Sequence, residues 1–277
     1  MSSIRNAGIL ASVMGILIAG ELPGQNRTGP MPDFELPSAS PRVHGLAGRV
    51  LSATRGESQF GREQEAEVAL GENFPLLLLR DGQNPISLGF GPQVYARFSL
   101  RDSRTALISN DWVVGVNATG DFGPWDATLQ LYHESSHLGD EYGDHFSSKR
   151  LDWSREVLSA WAGYSTGPWR VAWNVSYAIF DQLGLPRIAI AGAVDFTSGA
   201  RAGGPRRGPQ PVAGIYFTAD AATAWRVSSS ARAGITLLPG TGRQVGVALI
   251  AHDGLSTQRQ FYTRPSRYVG LELRFDL

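Results

Sequence analysis

The chain has 277 residues, enough for one large domain or two small ones. Its 25 basic residues balance its 25 acidic ones, and a net charge of zero excludes a nucleic-acid binder held by a basic face. With no cysteine, disulfide frameworks, thiolate metal sites and cysteine nucleophiles are excluded together. A charged fraction of 18%, set against 33 glycines, suits a β-rich protein that does not meet water on every side.

Residues 1–20 (MSSIRNAGILASVMGILIAG) place Arg5 before an apolar run from Ile9 to Ala19. That is the layout of a signal peptide, too short for a spanning helix of about 20 residues. Residues 21–64 open with a Pro-, Gly- and Ser-rich stretch that keeps no period, and are expected to form a periplasmic leader. Later apolar runs reach no further than Leu76–Leu79, so no helix is expected to cross a membrane.

From residue 65 to 277 the governing signal is alternation. Val269, Leu271, Leu273, Phe275 and Leu277 alternate with Tyr268, Gly270, Glu272, Arg274 and Asp276. Residues 94–101, 169–179 and 245–251 repeat the pattern, each about the length of a tilted strand crossing a bilayer. Some breaks are short (Gly120–Pro124, Ser165–Pro168, Pro239–Gly242), whereas others are long and polar (Leu138–Arg150, Asp253–Ser266). Short turns on one rim and long loops on the other predict an all-β fold. It would be a transmembrane antiparallel β-barrel of about 12 strands in a Gram-negative-type outer membrane, with outer-membrane lipid and the barrel-assembly machinery as partners. The basic stretch Gly199–Pro211 then falls on the short-turn rim, which suggests a missed strand nearby. A periplasmic β-sandwich also alternates. Trp and Tyr near the strand ends favour the barrel. So does the ending LELRFDL, which resembles the C-terminal recognition strand of outer-membrane proteins, although Leu277 stands where Phe or Trp is usual. The inward Arg97, Arg101, Arg170, Glu272 and Arg274 either line a pore or neutralise one another.

Residues 132–145 (YHESSHLGDEYGDH) concentrate three of the five histidines with four carboxylates. His133-Glu134-Ser135-Ser136-His137 spells the zinc-hydrolase motif H-E-x-x-H, which needs a helix to bring both imidazoles to one ion. In a strand the two would lie about 13 Å apart. Continuing the odd positions from Trp125, Ala127, Leu129 and Leu131 puts His133 and Ser135 on the lipid-facing side. This resembles the His-x-Ser strand of two outer-membrane families, phospholipase A and lipid A deacylase, with Ser136 where an Asn usually follows. The resemblance implies a serine acyl hydrolase of phospholipid or lipid A. Pairing Trp125 with Tyr164 across the short rim sets His133 opposite Glu156, with Cβ atoms about 5 Å apart. Glu156 then orients His133, which takes the Ser135 hydroxyl proton. Ser154 and Asp152 lie farther up the same face, and no oxyanion-hole donor is identified.

The segment with Ser154-Arg155-Glu156 also resembles a bacterial outer-membrane family carrying His-x-Ser-Ser-His-Leu-Gly-Asp-Glu, which implies location and fold but no activity. A non-catalytic structural or transport barrel therefore stands beside the hydrolase. Asp140, Glu141, Asp144 and His145 are expected in a solvated loop. Ca²⁺ is the one cofactor considered there, although the spacing is not that of an EF-hand.

Overall fold

The structure is a computed structural model that describes residues 31–56, 63–80, 83–101, 106–198, 208–237 and 245–275. The expected signal peptide, the Pro239–Gly242 break and Leu277 lie outside the described residues.

Thirteen strands follow in chain order: β1 Gly45–Arg55, β2 Glu63–Gly71, β3 Phe74–Arg80, β4 Ile86–Ser99, β5 Leu107–Phe122, β6 Trp125–Leu138, β7 Trp153–Thr166, β8 Trp169–Asp181, β9 Ile188–Thr197, β10 Gln210–Asp220, β11 Ser228–Leu237, β12 Val245–Leu255 and β13 Pro265–Phe275. A helix, α1 (Asp140–Phe146), joins β6 to β7. Each strand pairs antiparallel with its sequence neighbour except at β3, which pairs only with the first half of β4 while β2 pairs with the second half. Gly71, at φ 152°, ends β2 where the strand breaks. Counting β2 and β3 as two halves of one strand, the ring holds twelve, and β1 closes it against β13.

The wall therefore begins at Gly45, inside the span expected to be leader. β1 is hard to read because its outward positions include Gly48 and Ser52, while Val50 is its exposed apolar residue. Residues 199–207 of the stretch Gly199–Pro211 lie outside the described residues; β9 and β10, which flank it, pair directly with each other.

The barrel is apolar outside and ionic inside, as a wall between lipid and lumen requires. Outward Val175, Leu249, Val269 and Leu271 are more than half exposed, whereas inward Arg97, Arg170 and Glu272 are buried. Those charges neutralise one another. Arg97 bonds Glu65 and Glu67 at 2.8 Å, Arg170 bonds Asp126 at 2.5 Å, and Glu272 accepts from Arg49, Arg232 and Arg274. Arg101 is exposed at the loop rim.

Residues 33–44 occupy the lumen. Phe34 packs on Trp161 at 5.9 Å beneath the Arg170 guanidinium, and Ser38 donates to Asp195 from its backbone N (3.0 Å) and hydroxyl (2.6 Å). Arg42 ends the path between Asp111 and Glu134, also donating to the Thr257 carbonyl at 3.1 Å. A Cβ on Gly214 would collide with Ser38 and Asp195, so the wall needs glycine where this segment passes.

Candidate active site on the outer wall

Trp125–Leu138 is strand throughout, with Thr128, Glu134 and Ser136 buried toward the lumen and Leu129 and Leu131 exposed outside. Odd positions thus face out. H-E-x-x-H consequently lies on a strand, with Glu134 on the opposite side from both histidines. Glu134 accepts from Arg42 (2.5 Å), Arg259 (3.0 Å) and Trp153 (3.1 Å), which commits it to the lumen. The zinc-hydrolase reading is overturned: the motif has the letters but lacks the helical geometry that gives one ion two imidazoles.

The register of β6 against β7 pairs Trp125 with Tyr164, Leu131 with Leu158, His133 with Glu156 and Ser135 with Ser154. His133 Nδ1 stands 2.9 Å from Glu156 Oε1, with both side chains 30% exposed. The carboxylate fixes the ring and leaves Nε2 as the free nitrogen. Ser135 lies two residues on, on the same face. Around this polar group the wall is apolar: Trp112 of β5 opposite Ser135, Leu131 and Leu158 below, and Phe180 of β8 opposite Glu156.

The site lies at the loop end of the apolar band. Trp125, Tyr164 and Trp173 cluster at the short-turn end, with Trp125 4.7 Å from Tyr164 and 5.7 Å from Trp173. His133 is eight residues up β6 from that belt, about 26 Å along the strand and about 20 Å along the barrel axis at a tilt near 40°. Ser135 is therefore close to the far edge of a band about 25 Å tall.

The residues 140–146, expected as loop, form α1. Tyr142 buries against Ile108, Leu138 and Phe261, and this apolar anchor winds the acidic stretch into a turn of helix over the loop rim. Asp140 pairs with Arg150. For Ca²⁺, no three His, Asp or Glu side chains converge as a metal site among the described residues.

Sequence reasoning missed Trp112. β5 (LISNDWVVGVNATGDF) alternates, with Ser109, Asp111, Asn117 and Thr119 inward and Trp112 outward, but the place of Trp112 opposite Ser135 comes from the register of β5 against β6. It also missed the inner support of the site. Asp111 accepts from the Ser136 hydroxyl and, with Glu134, is held by Arg42 and Arg259 from elements far away in sequence. A lone Arg in a Pro-Ser stretch gives no signal of that.

Residues 37–277 match the family model described as "Protein of unknown function (DUF1207)", and the chain belongs to that family. No curated protein matches the sequence. Among solved structures, the outer-membrane phospholipase dimer of Salmonella typhi with bound calcium is similar at 15% identity and TM-score 0.59, covering 90% of this chain and 95% of that one. Outer-membrane phospholipase A of Escherichia coli is similar at 13% identity and TM-score 0.58, covering 88% and 95%. An active-site asparagine-to-alanine mutant of the E. coli protein gives 12% and 0.60, covering 95% and 97%. At these identities the likeness is one of fold: this chain has the fold of outer-membrane β-barrels.

Proposed function

We propose that this DUF1207 barrel is a serine acyl hydrolase of membrane lipid, with Ser135 as nucleophile, His133 as general base and Glu156 orienting the base. The carrying observation is the outward His133–Glu156 hydrogen bond of 2.9 Å at the edge of the apolar band, with Ser135 on the same face. A polar pair facing lipid loses hydration that its one internal hydrogen bond restores only in part, and ionisable residues in such places mark functional sites. Lipid diffusing in the leaflet reaches this face without entering the lumen. The ester carbonyls of phospholipid and lipid A lie at the boundary between headgroup and acyl chain, the depth of Ser135. The fold-level likeness to phospholipase A supports the reading but does not carry it.

Ser135 Oγ attacks the ester carbonyl and gives its proton to His133 Nε2. The imidazolium is stabilised by Glu156 and returns the proton to the leaving alcohol. Water then releases the fatty acid from the acyl-serine by the same two proton transfers. The test is fatty-acid release from phospholipid and from lipid A in mixed micelles, with Ca²⁺ and with a chelator. Ser135→Ala and His133→Ala are expected to lose at least three orders of magnitude in kcat while the folded barrel is retained. Release that survives Ser135→Ala defeats the proposal. No release from any substrate leaves a non-catalytic barrel.

A further inference from the structure

We infer that the Ser154 hydroxyl is the oxyanion-hole donor of this site. The inference rests on the hydrolase reading above and names a further residue for it.

The observation is the register. Ser154 is the direct cross-strand partner of Ser135, two positions along β7 from Glu156, which is itself the direct partner of His133. Direct partners share a face and hold their Cβ atoms about 5 Å apart. β7 alternates over this stretch, with Trp153, Arg155 and Val157 buried toward the lumen and Ser154 and Glu156 partly exposed on the outer side. Four outward side chains therefore form a square: nucleophile and base on β6, hydroxyl donor and orienting carboxylate on β7. No hydrogen bond to either hydroxyl, Ser135 or Ser154, is present among the described residues. Ser154 does contribute its backbone, accepting from Gln182 N at 3.0 Å, so β7 is pinned there by β8 while the hydroxyl stays available.

Of the other neighbours of Ser135 on this face, His137 lies two residues farther toward the loop rim, beyond the end of the β6–β7 pairing, and Trp112 and His133 are committed elsewhere. Across β5 stands Trp112, 53% exposed, whose ring nitrogen donates to Asn110 at 2.9 Å. Its apolar body suits an acyl chain and offers no donor toward Ser135. Below stands His133, occupied with the serine proton. As Ser135 Oγ bonds to the carbonyl carbon, the C=O π pair moves onto oxygen and the serine proton moves to His133. The new negative charge then meets the Ser154 O–H, with no other group needed to balance the step. When the tetrahedral intermediate collapses, the pair returns, the alkoxide leaves, and His133 supplies its proton. A donor aimed where charge develops strengthens in the transition state more than in the bound ester. Removing one is expected to act on kcat by about 100-fold, with little effect on KM.

The experiment measures kcat, KM and the pH–rate profile for wild type, Ser154→Ala, Ser154→Thr and Ser135→Ala, each first shown to be folded by heat-modifiable migration. Expected are a kcat loss near 100-fold in Ser154→Ala with KM within twofold, recovery of most activity in Ser154→Thr, and an unchanged pH profile. A merely structural role, acting through misplacement of Glu156, would shift the profile, and Thr would not rescue it. Wild-type kcat in Ser154→Ala beside an inactive Ser135→Ala overturns the inference and leaves the hydrolase reading intact. Absence of turnover in the wild type overturns both.

Discussion

At the residue scale, the site turns on one hydrogen bond. Glu156 serves His133 in two ways, by orienting the ring and by stabilising the imidazolium that forms during attack. Glu156→Gln keeps the shape and removes the charge, so kcat is expected to fall by about 100- to 1,000-fold with KM little changed. A micelle assay against wild type checks this, and an unchanged kcat would remove Glu156 from the mechanism. His133 and Glu156 were legible in the sequence because a period-two strand keeps i and i+2 on one face, and the short turns that end β6 and β7 on one rim align Trp125 with Tyr164. Ser154 follows from the same register, which sets it opposite the nucleophile. Trp112 was legible in face, since it alternates with Asp111 and Val113, but its place opposite Ser135 needed the pairing of β5 with β6.

At the scale of elements, the segment 33–44 and the strands β5 and β6 form one unit. Asp111 and Glu134 are buried carboxylates on adjacent strands, and Arg42 and Arg259 are their cations. Removing one partner from a buried pair leaves charge uncompensated at a cost of about 3 kcal/mol or more. Arg42→Gln is therefore expected to lower the unfolding midpoint in detergent clearly, and Arg42→Gln with Asp111→Asn to recover part of it by rebalancing charge. Equal midpoints for the wild type and the Arg42→Gln variant would show that the clamp contributes nothing. The same segment carries a pH response. Burial pulls the His44 pKa from the ordinary 6.5 down to about 4, so His44 is neutral when docked. An undocked segment takes up the proton first as pH falls. The docking free energy is thus intact above about pH 6.5 and declines as pH drops toward 4. Unfolding midpoints measured between pH 7.5 and 4.5 should fall less steeply in His44→Gln than in wild type.

At the scale of the whole molecule, an ionic interior with a polypeptide segment through it is a closed barrel. Beside the segment lie cavities of about 370, 170 and 140 Å³, and Arg42 and His44 of the segment line them. Purified protein in a planar bilayer is expected to show no steady conductance of the kind a water-filled porin gives. Deletion of residues 31–44 should create one. A large open conductance in the intact chain would contradict the closed lumen and favour a transport barrel. Of the arginines that the sequence left undecided between pore lining and neutralisation, Arg97, Arg170 and Arg274 are spent on the inward carboxylates of Glu65, Glu67, Asp126 and Glu272, whereas Arg101 is exposed at the loop rim.

The sequence by itself determined the class of fold, the approximate number of strands and the face of β6. These follow from local rules: side chains alternate with period two, turns have short-range signatures, and lipid demands one apolar face. It determined the His133–Glu156 register as well, since the tight turns at Gly123–Pro124 and Gly167–Pro168 end β6 and β7 on one rim and align Trp125 with Tyr164. Only the tertiary structure decided where the wall begins, what fills the lumen and what stands behind the site. β1 gains its identity from pairing with β13, some 220 residues away, and not from its own weak alternation. Arg42 reaches Glu134 across 92 residues of chain. Such contacts depend on closure of the ring, which brings distant residues into one low-dielectric interior where charges must find partners. No local pattern records which partner each will find.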